Sequence, residues 1–110
     1  MPVMTDSLSV GANAISANVL AGLLYEFLPS NAKVTLFATG SAAGLRATLN
    51  IGGDQIVDDS AISLQNRIPL IPDDLVVSDG GRRGERMILK FRNTTGGALT
   101  AFWTVQVNPL

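Results

Sequence analysis

The sequence predicts an all-β protein, a single antiparallel β-sandwich that is jelly-roll-like and has about seven or eight short strands. Two observations lead to this fold class. From residue 33 onward, apolar and polar residues alternate in short runs, and clusters of turn-forming residues separate these runs at roughly 8 to 12 residue intervals. The least regular stretch, residues 59–84, is long enough to be the crossover that Greek-key topologies contain.

The composition indicates one domain with an unusually uncharged surface. The chain has 110 residues, of which 46% are apolar and 15% are charged, whereas about 25% are charged in an ordinary soluble domain. Uncharged surface is often covered by a partner, so we expect a protein that assembles with other molecules. We divide the chain into an N-terminal arm, residues 1–13, and a single β-sandwich domain, residues 14–110.

The residue types that the chain lacks argue against several functions. It contains no Cys and no His, which removes disulfides, thiolate nucleophiles, imidazole acid–base chemistry and the usual zinc ligands. We therefore expect no enzyme activity, no cofactor and no metal. The net charge of −1 argues against nucleic acid as a partner. No apolar run reaches the roughly 18 residues of a membrane span, and residues 1–12 lack the Lys or Arg of a secretory signal. We expect no membrane partner, and assembly in the cytoplasm.

The first 28 residues have the least decisive pattern. Residues 7–10 alternate, which fits a short strand, an arm that orders against a neighbour, or a frayed terminus. Within residues 14–28 the apolar positions fit one face of a helix, and they also fit two strands, 18–21 and 24–28, with a break at Gly22. We favour the strands because the downstream pattern is β throughout, and the helix remains the alternative.

The central part predicts one hairpin and one tight turn. Residues 33–39 and 45–51 both alternate, and the glycine-containing segment 40–44 is expected to join them as a hairpin. Gly52-Gly53 predicts a two-residue turn into a short strand, 54–58.

Residues 59–84 are expected to form an edge or a crossing connection, because Pro69 and Pro72 exclude a central strand there. Within this stretch, residues 75–77 predict a short buried run and residues 78–81 a turn.

The C-terminal third predicts the clearest hairpin. Residues 86–92 and 98–107 alternate, and 93–97 contain the Gly96-Gly97 pair that a short connection needs. Trp103, the single tryptophan, lies in the middle of the longest run. We expect this hairpin to be the spine of the core.

The acidic pairs Asp58-Asp59 and Asp73-Asp74 are candidates for a cation or interface role. They match no calcium-loop motif, and neighbouring residues on a strand point to opposite faces, so neither pair can flank one bond as catalytic carboxylates do. Solvated turn residues and ion-pair partners are the simpler interpretation.

Five basic residues cluster near the C-terminal hairpin, and they are our candidates for polar docking: Arg82, Arg83, Arg86, Lys90 and Arg92. The alternatives are a solvated strand face and a nucleic-acid contact, and the lack of interleaved aromatic residues disfavours the latter. Phe37 and Phe102 fall on the outward faces of their predicted strands. They are candidates for burial between subunits, unless a second sheet packs on that face.

Several segments together resemble the small virion proteins of tailed bacteriophages, of the capsid decoration or cement type. The segments that carry the resemblance are NVLAG at 18–22 with YEFLP at 25–29, NRIPLIPDD at 66–74, and GER at 84–86 with RNTTGGAL at 92–99. The resemblance lies in a pattern spread over roughly residues 15 to 107, without a diagnostic motif. It implies a β-sandwich or jelly roll that trimerises on the head lattice and clamps capsid subunits, with no catalytic residues to carry over.

We therefore expect a structural virion protein that binds and stabilises the capsid exterior. Its expected partners are the major capsid protein and itself, as a homotrimer, on a virion assembled in the host cytoplasm. The alternatives are a carbohydrate- or ligand-binding β-sandwich module and another virion component, such as a fibre-associated protein. Carbohydrate sites present stacking aromatic residues, and most of the few aromatics here fall at predicted core positions.

Overall fold

The computed structural model describes residues 3–23, 26–64 and 75–109, and the predicted all-β class is confirmed. None of these residues lies in a helix. The strands are β1 (Val3–Val10), β2 (Ala32–Gly40), β3 (Leu45–Ile51), β4 (Asp54–Ala61), β5 (Ser63–Leu64), β6 (Leu75–Gly81), β7 (Met87–Asn93) and β8 (Leu99–Pro109).

The strands form two sheets that pack face to face. The large sheet has the order β1-β8-β2, and β2 then pairs with β6 along most of its length and with the two-residue β5 at its end. The small sheet has the order β4-β3-β7. All named pairings are antiparallel apart from the short β2–β5 contact.

The described parts of residues 14–28 form neither a helix nor a named strand, so the predicted strands at 18–21 and 24–28 are wrong where they can be compared. We call the described part of this stretch, residues 14–23 and 26–28, the edge segment. It lies beside β7, with isolated antiparallel bridges from Ile15 to Arg92 and from Phe27 to Arg86. If the edge segment is counted as a fourth strand beside β7, the small sheet has the order edge segment-β7-β3-β4. With β1-β8-β2-β6 in the large sheet, this is the strand order of a jelly roll.

The core lies between the two sheets and follows the predicted alternation. In β3 and β7 every second residue is buried, and Trp103 on β8 is 2% exposed. Leu20 and Leu28 of the edge segment belong to the same cluster. Each large apolar side chain buried here contributes about 1.5–3 kcal/mol. The largest core side chains from the strands are Val34, Leu36, Leu45, Leu49, Ile51, Met87, Leu89, Phe91, Trp103 and Val105.

Two predicted hairpins are wrong. β2 and β3 are consecutive, but β2 lies in the large sheet and β3 in the small one, and β7 and β8 are divided in the same way. The C-terminal pair is thus not a hairpin spine, because β8 instead pairs with β1 and β2. A strand that crosses to the opposite sheet keeps its apolar face toward the same core, so alternation cannot distinguish a hairpin from a crossing.

The two crossings lie side by side and bond to each other. The N–H and the hydroxyl of Thr94 both donate to the carbonyl of Gly44, at 3.0 and 2.7 Å. Asn93 is 1% exposed, and its Nδ2 donates to the carbonyls of Val10 and Gly97, at 3.1 and 2.7 Å. This end of the sandwich is therefore held by side-chain bonds between elements of both sheets.

The remaining strand predictions have mixed outcomes. The β3–β4 hairpin with its Gly52-Gly53 turn is confirmed, although β4 extends to Ala61. Residues 78–81 continue β6, so the predicted turn there is wrong. Residues 3–10 pair with β8 along their whole length, so they form a strand of the sandwich and not an arm. The predictions for Pro69, Pro72 and Asp73-Asp74 fall outside the described residues.

Candidate functional site

The edge segment completes the hydrogen bonding of β7 with two side chains as well as with backbone. The N–H of Leu89 donates to Asn18 Oδ1 at 3.0 Å, and Asn18 Nδ2 donates to the carbonyl of Met87 at 3.2 Å. The N–H of Phe91 donates to Ser16 Oγ at 2.9 Å. The side chains of Ser16 and Asn18 bond to backbone N–H and carbonyl groups at the edge of β7. The segment therefore covers this edge without adopting strand geometry.

The same segment places apolar side chains on the outside of the small sheet. Residues opposite each other in an antiparallel pair point to the same face, so Ile15 lies beside Arg92 and Phe27 beside Arg86. Ile15 is 65% exposed and Phe27 is 56% exposed. We call this surface the β7 face: Arg86, Ile88, Lys90 and Arg92, flanked by Ile15 and Phe27.

Both arginines on the β7 face are already paired within the chain. Arg86 Nε lies 2.7 Å from Glu26 Oε2. The N–H of Gly22 and the guanidinium of Arg86 together hold the pKa of Glu26 below its ordinary value. Arg92 binds Asp59 through both Nε and Nη2 in a bidentate pair, and these bonds hold the pKa of Asp59 below its ordinary value.

A β-bulge puts Asp59 in position for this pair. Asp58 and Asp59 together lie opposite Thr48, because the β3–β4 register shifts between Ala47 and Leu49. Asp59 has a φ of 49°, a left-handed conformation that Asp tolerates better than most residues. Its N–H donates to Thr48 Oγ1 at 3.1 Å. Arg46 also lies 3.4 Å from its carboxylate, so one carboxylate contacts two arginines and offsets one of their two positive charges.

Lys90 differs from its neighbours because no ion pair engages it within the described residues. It is exposed, and it lies on β7 between the paired Arg86 and Arg92. A cleft of about 320 Å³ opens beside it. The cleft is lined by Ile15, Thr48, Asp59, Lys90, Phe91 and Arg92. This arrangement places Lys90 next to exposed apolar surface, which is suited to binding.

The structure separates the predicted docking residues, all of them basic, into two places. Arg86, Lys90 and Arg92 share the β7 face. Arg82 and Arg83 are exposed between β6 and β7, where Arg82 borders a second cleft of about 490 Å³ at one end of the sandwich.

Phe37 and Phe102 lie on the large sheet, on the face away from the core. Phe102 is half-buried, whereas Phe37 is 3% exposed and leaves almost no surface to a partner. The two phenylalanines therefore do not meet the basic residues in one surface.

Sequence reasoning missed the contribution of the edge segment to this site. The apolar pattern of residues 14–28 does not predict the exposure of Ile15 and Phe27, and nothing in the sequence connects Glu26 and Asp59 to particular arginines. The available signal was Ser16 and Asn18, polar residues inside an apolar run, which favour side-chain bonds to a neighbouring backbone over regular structure. Nothing in the sequence marked the bulge at Asp59.

The described residues contain no group of three or more acidic side chains arranged to hold a metal ion. Within that part of the chain, no helix is long and apolar enough to cross a membrane. The fold and the β7 face define the chain as a small jelly-roll β-sandwich with an exposed apolar and basic surface. Comparison with protein-family models, curated proteins and solved structures finds no match.

Proposed function

We propose that this protein is a structural virion protein that binds and stabilises the exterior of a phage capsid, and that it docks through the β7 face. Jelly rolls are common among viral capsid domains. The low charged fraction of 15% and the resemblance to decoration proteins favour the same role. The function in this proposal is adhesion, and it needs no catalytic group.

The observation that carries the proposal is the exposure of apolar side chains in one segment that is hydrogen-bonded to β7. The large hydrophobic residues exposed in the described part of the chain are Ile15, Leu23 and Phe27, and all of them belong to the edge segment. Hydrogen bonds to β7 hold this segment in place. Exposed apolar groups that are fixed in position and flanked by charge are typical of a protein-binding surface.

The partner that fits this surface is the major capsid protein, with a second set of contacts between copies of this chain in a homotrimer. Each docking contact is small, because the β7 face is one side of a three-stranded sheet. Repetition over a lattice offsets weak single contacts, since binding of linked copies depends on effective concentration. Arg82 and Arg83, exposed at the end of the sandwich, are further candidates for polar contacts with the capsid.

The experiment is a titration of purified capsids that lack the protein, followed by sedimentation, with the mass of the free protein measured by light scattering. We expect a trimer that saturates capsids at a fixed copy number. Lys90→Glu should weaken binding, and Lys33→Glu, which changes the same residue type on the outer face of the large sheet, should not.

The proposal would be overturned if the protein were a monomer that does not bind capsids and instead binds a glycan. That result would favour a carbohydrate-binding module. Among the described aromatic residues only Phe27 is more than half exposed, which gives a sugar one stacking surface. The charge-reversed pair Arg82→Glu and Arg83→Glu tests the end of the sandwich separately. Unchanged capsid binding at low salt would remove these two arginines from the interface.

A further inference from the structure

We infer that the cleft beside Lys90 is a binding site for a carboxylate side chain, an Asp or Glu of the partner protein. This inference deepens the docking function proposed above and rests on it for the identity of the partner. The site is formed by Lys90 as the cation, Ile15 as an exposed apolar wall and Thr48 as a hydroxyl lining the cleft.

The charges around the cleft determine which ligand it fits. Asp59 already occupies the fork of Arg92 and lies against Arg46, so a carboxylate of the chain itself engages both arginines and offsets one of their two charges. Lys90 lines the same cleft and has no such partner within the described residues. A negatively charged ligand is therefore attracted by the one cation that Asp59 leaves unpaired.

The size and the walls of the cleft indicate how large the ligand is and which apolar groups accompany its carboxylate. A volume of about 320 Å³ is at the lower end of the range for ligand pockets, roughly 300–1,000 Å³. It accommodates one or two side chains rather than a folded surface. Ile15, 65% exposed, offers a contact for the methylene stem of a Glu or for an apolar residue beside an Asp. A protein segment supplies both groups together.

Asp59 acts as an internal competitor in this arrangement. The substitution Asp59→Asn removes its charge and keeps a side chain that tolerates the left-handed φ of 49° at this position. It would leave Arg92 and Arg46 without their carboxylate and raise the positive charge of the cleft. The inference therefore predicts effects of opposite sign for two substitutions, Lys90→Gln and Asp59→Asn, at neighbouring positions of one cleft.

The test is an NMR titration of the ¹⁵N-labelled full chain with the peptide acetyl-Leu-Glu-Leu-amide, and with acetyl-Leu-Gln-Leu-amide as the neutral probe. We expect the Glu peptide to shift the amides of Thr48, Lys90 and Phe91 in a saturable way, and the Gln peptide to bind less. Lys90→Gln should weaken binding about twofold to fivefold, as for an exposed ion pair. Asp59→Asn should strengthen it by a similar factor, and Lys33→Gln should leave it unchanged.

Equal binding of the two peptides, or Lys90→Gln binding the Glu peptide like the parent protein, would overturn the inference. Equal shifts with sodium acetate at the same concentration would overturn the assignment to a protein side chain. The amide spectrum of each variant reports whether it is folded. If the peptide binds as expected and capsids do not, the proposed function fails and this inference stands. If the protein binds capsids and does not bind the peptide, this inference fails and the proposed function stands.

Discussion

Asn18 accepts the N–H of Leu89 with its side-chain Oδ1, at 3.0 Å, and so takes the place of a backbone carbonyl along the edge of β7. The same Oδ1 accepts the N–H of Leu20 at 3.1 Å, and Nδ2 donates to the carbonyl of Met87 at 3.2 Å. One side chain thus bonds to three backbone groups. It fixes the segment that carries Ile15 and Phe27, and it links the fold directly to the candidate docking face.

Replacement of Asn18 by Ala should destabilise the protein by about 2–3 kcal/mol, because it leaves part-buried backbone donors without a partner. Urea unfolding followed by tryptophan fluorescence measures this change through Trp103. Asn108→Ala is the matched control, since Asn108 is half-buried and makes no side-chain hydrogen bond to other described residues. We expect that control to stay within about 0.5 kcal/mol of the parent. Equal effects of the two substitutions would contradict the role of Asn18.

Asn93 should be the most sensitive polar position in the described chain. Its side chain donates to two backbone carbonyls, and its Oδ1 accepts the N–H of Thr95 at 2.9 Å, all at 1% exposure. Asn93→Ala should cost about 3 kcal/mol or more.

Asn93→Asp adds a test of the geometry around Asn93. A carboxylate facing the carbonyls of Val10 and Gly97 is repelled, so burial would raise the pKa of the new Asp in the folded state. A raised pKa means that the penalty is largest above the folded pKa and falls as the group becomes protonated. The deficit of Asn93→Asp relative to the parent should therefore shrink as the pH falls from 7 to 4. A deficit that is independent of pH would show that Asn93 Nδ2 does not face these carbonyls.

Gly44 should not tolerate a side chain. Its φ is 114°, and a Cβ at this position would overlap the side chain of Thr95 in the neighbouring crossing. Gly44→Ala should cost about 1–3 kcal/mol in urea unfolding. Gly96→Ala is the control, because a Cβ there meets nothing within 4 Å. A neutral Gly44→Ala would mean that the two crossings are not packed against each other.

Acid should weaken the protein through Asp59 and Glu26. Both have a pKa held below the ordinary value, Asp59 chiefly by its hydrogen bonds from Arg92 and Glu26 chiefly by the N–H of Gly22. A lowered pKa in the folded state gives stability that is present above the unfolded pKa, about 4, and is lost as the pH falls below it. The urea midpoint of the parent should drop over this range, and that of Asp59→Asn should drop less. Parallel curves for the two proteins would contradict the Arg92–Asp59 pair.

The faces of the strands could be predicted from the sequence, whereas the neighbours of the strands could not. In β3 the buried residues Leu45, Ala47, Leu49 and Ile51 follow from period-two alternation alone. A glycine-containing turn, however, looks the same whether it returns the chain within a sheet or carries it across the core. The β-sandwich class was accessible because strand number and turn spacing indicate it, whereas the jelly-roll strand order depends on the two crossings that were mistaken for hairpins.

The candidate site was only partly accessible for a related reason. Alternation correctly placed Arg86, Lys90 and Arg92 on one face, since this needs only the strand. Which of them stays free depends on Glu26 and Asp59, whose positions are set by an irregular segment and a bulge. Neither the irregular segment nor the bulge produces a repeating sequence pattern, so the structure was needed to identify Lys90 as the residue left unpaired within the described part of the chain.

The central claim is that the β7 face meets the capsid, and the two lysines of the chain test it directly. Lys90 lies on the β7 face and Lys33 on the outer face of the large sheet, and both are exposed. The measurement is the rate of acetylation of each amine, by mass spectrometry, for the protein free and bound to capsids. We predict that Lys90 becomes protected on capsids while Lys33 keeps its free rate. Protection of Lys33 with Lys90 unchanged would contradict the account.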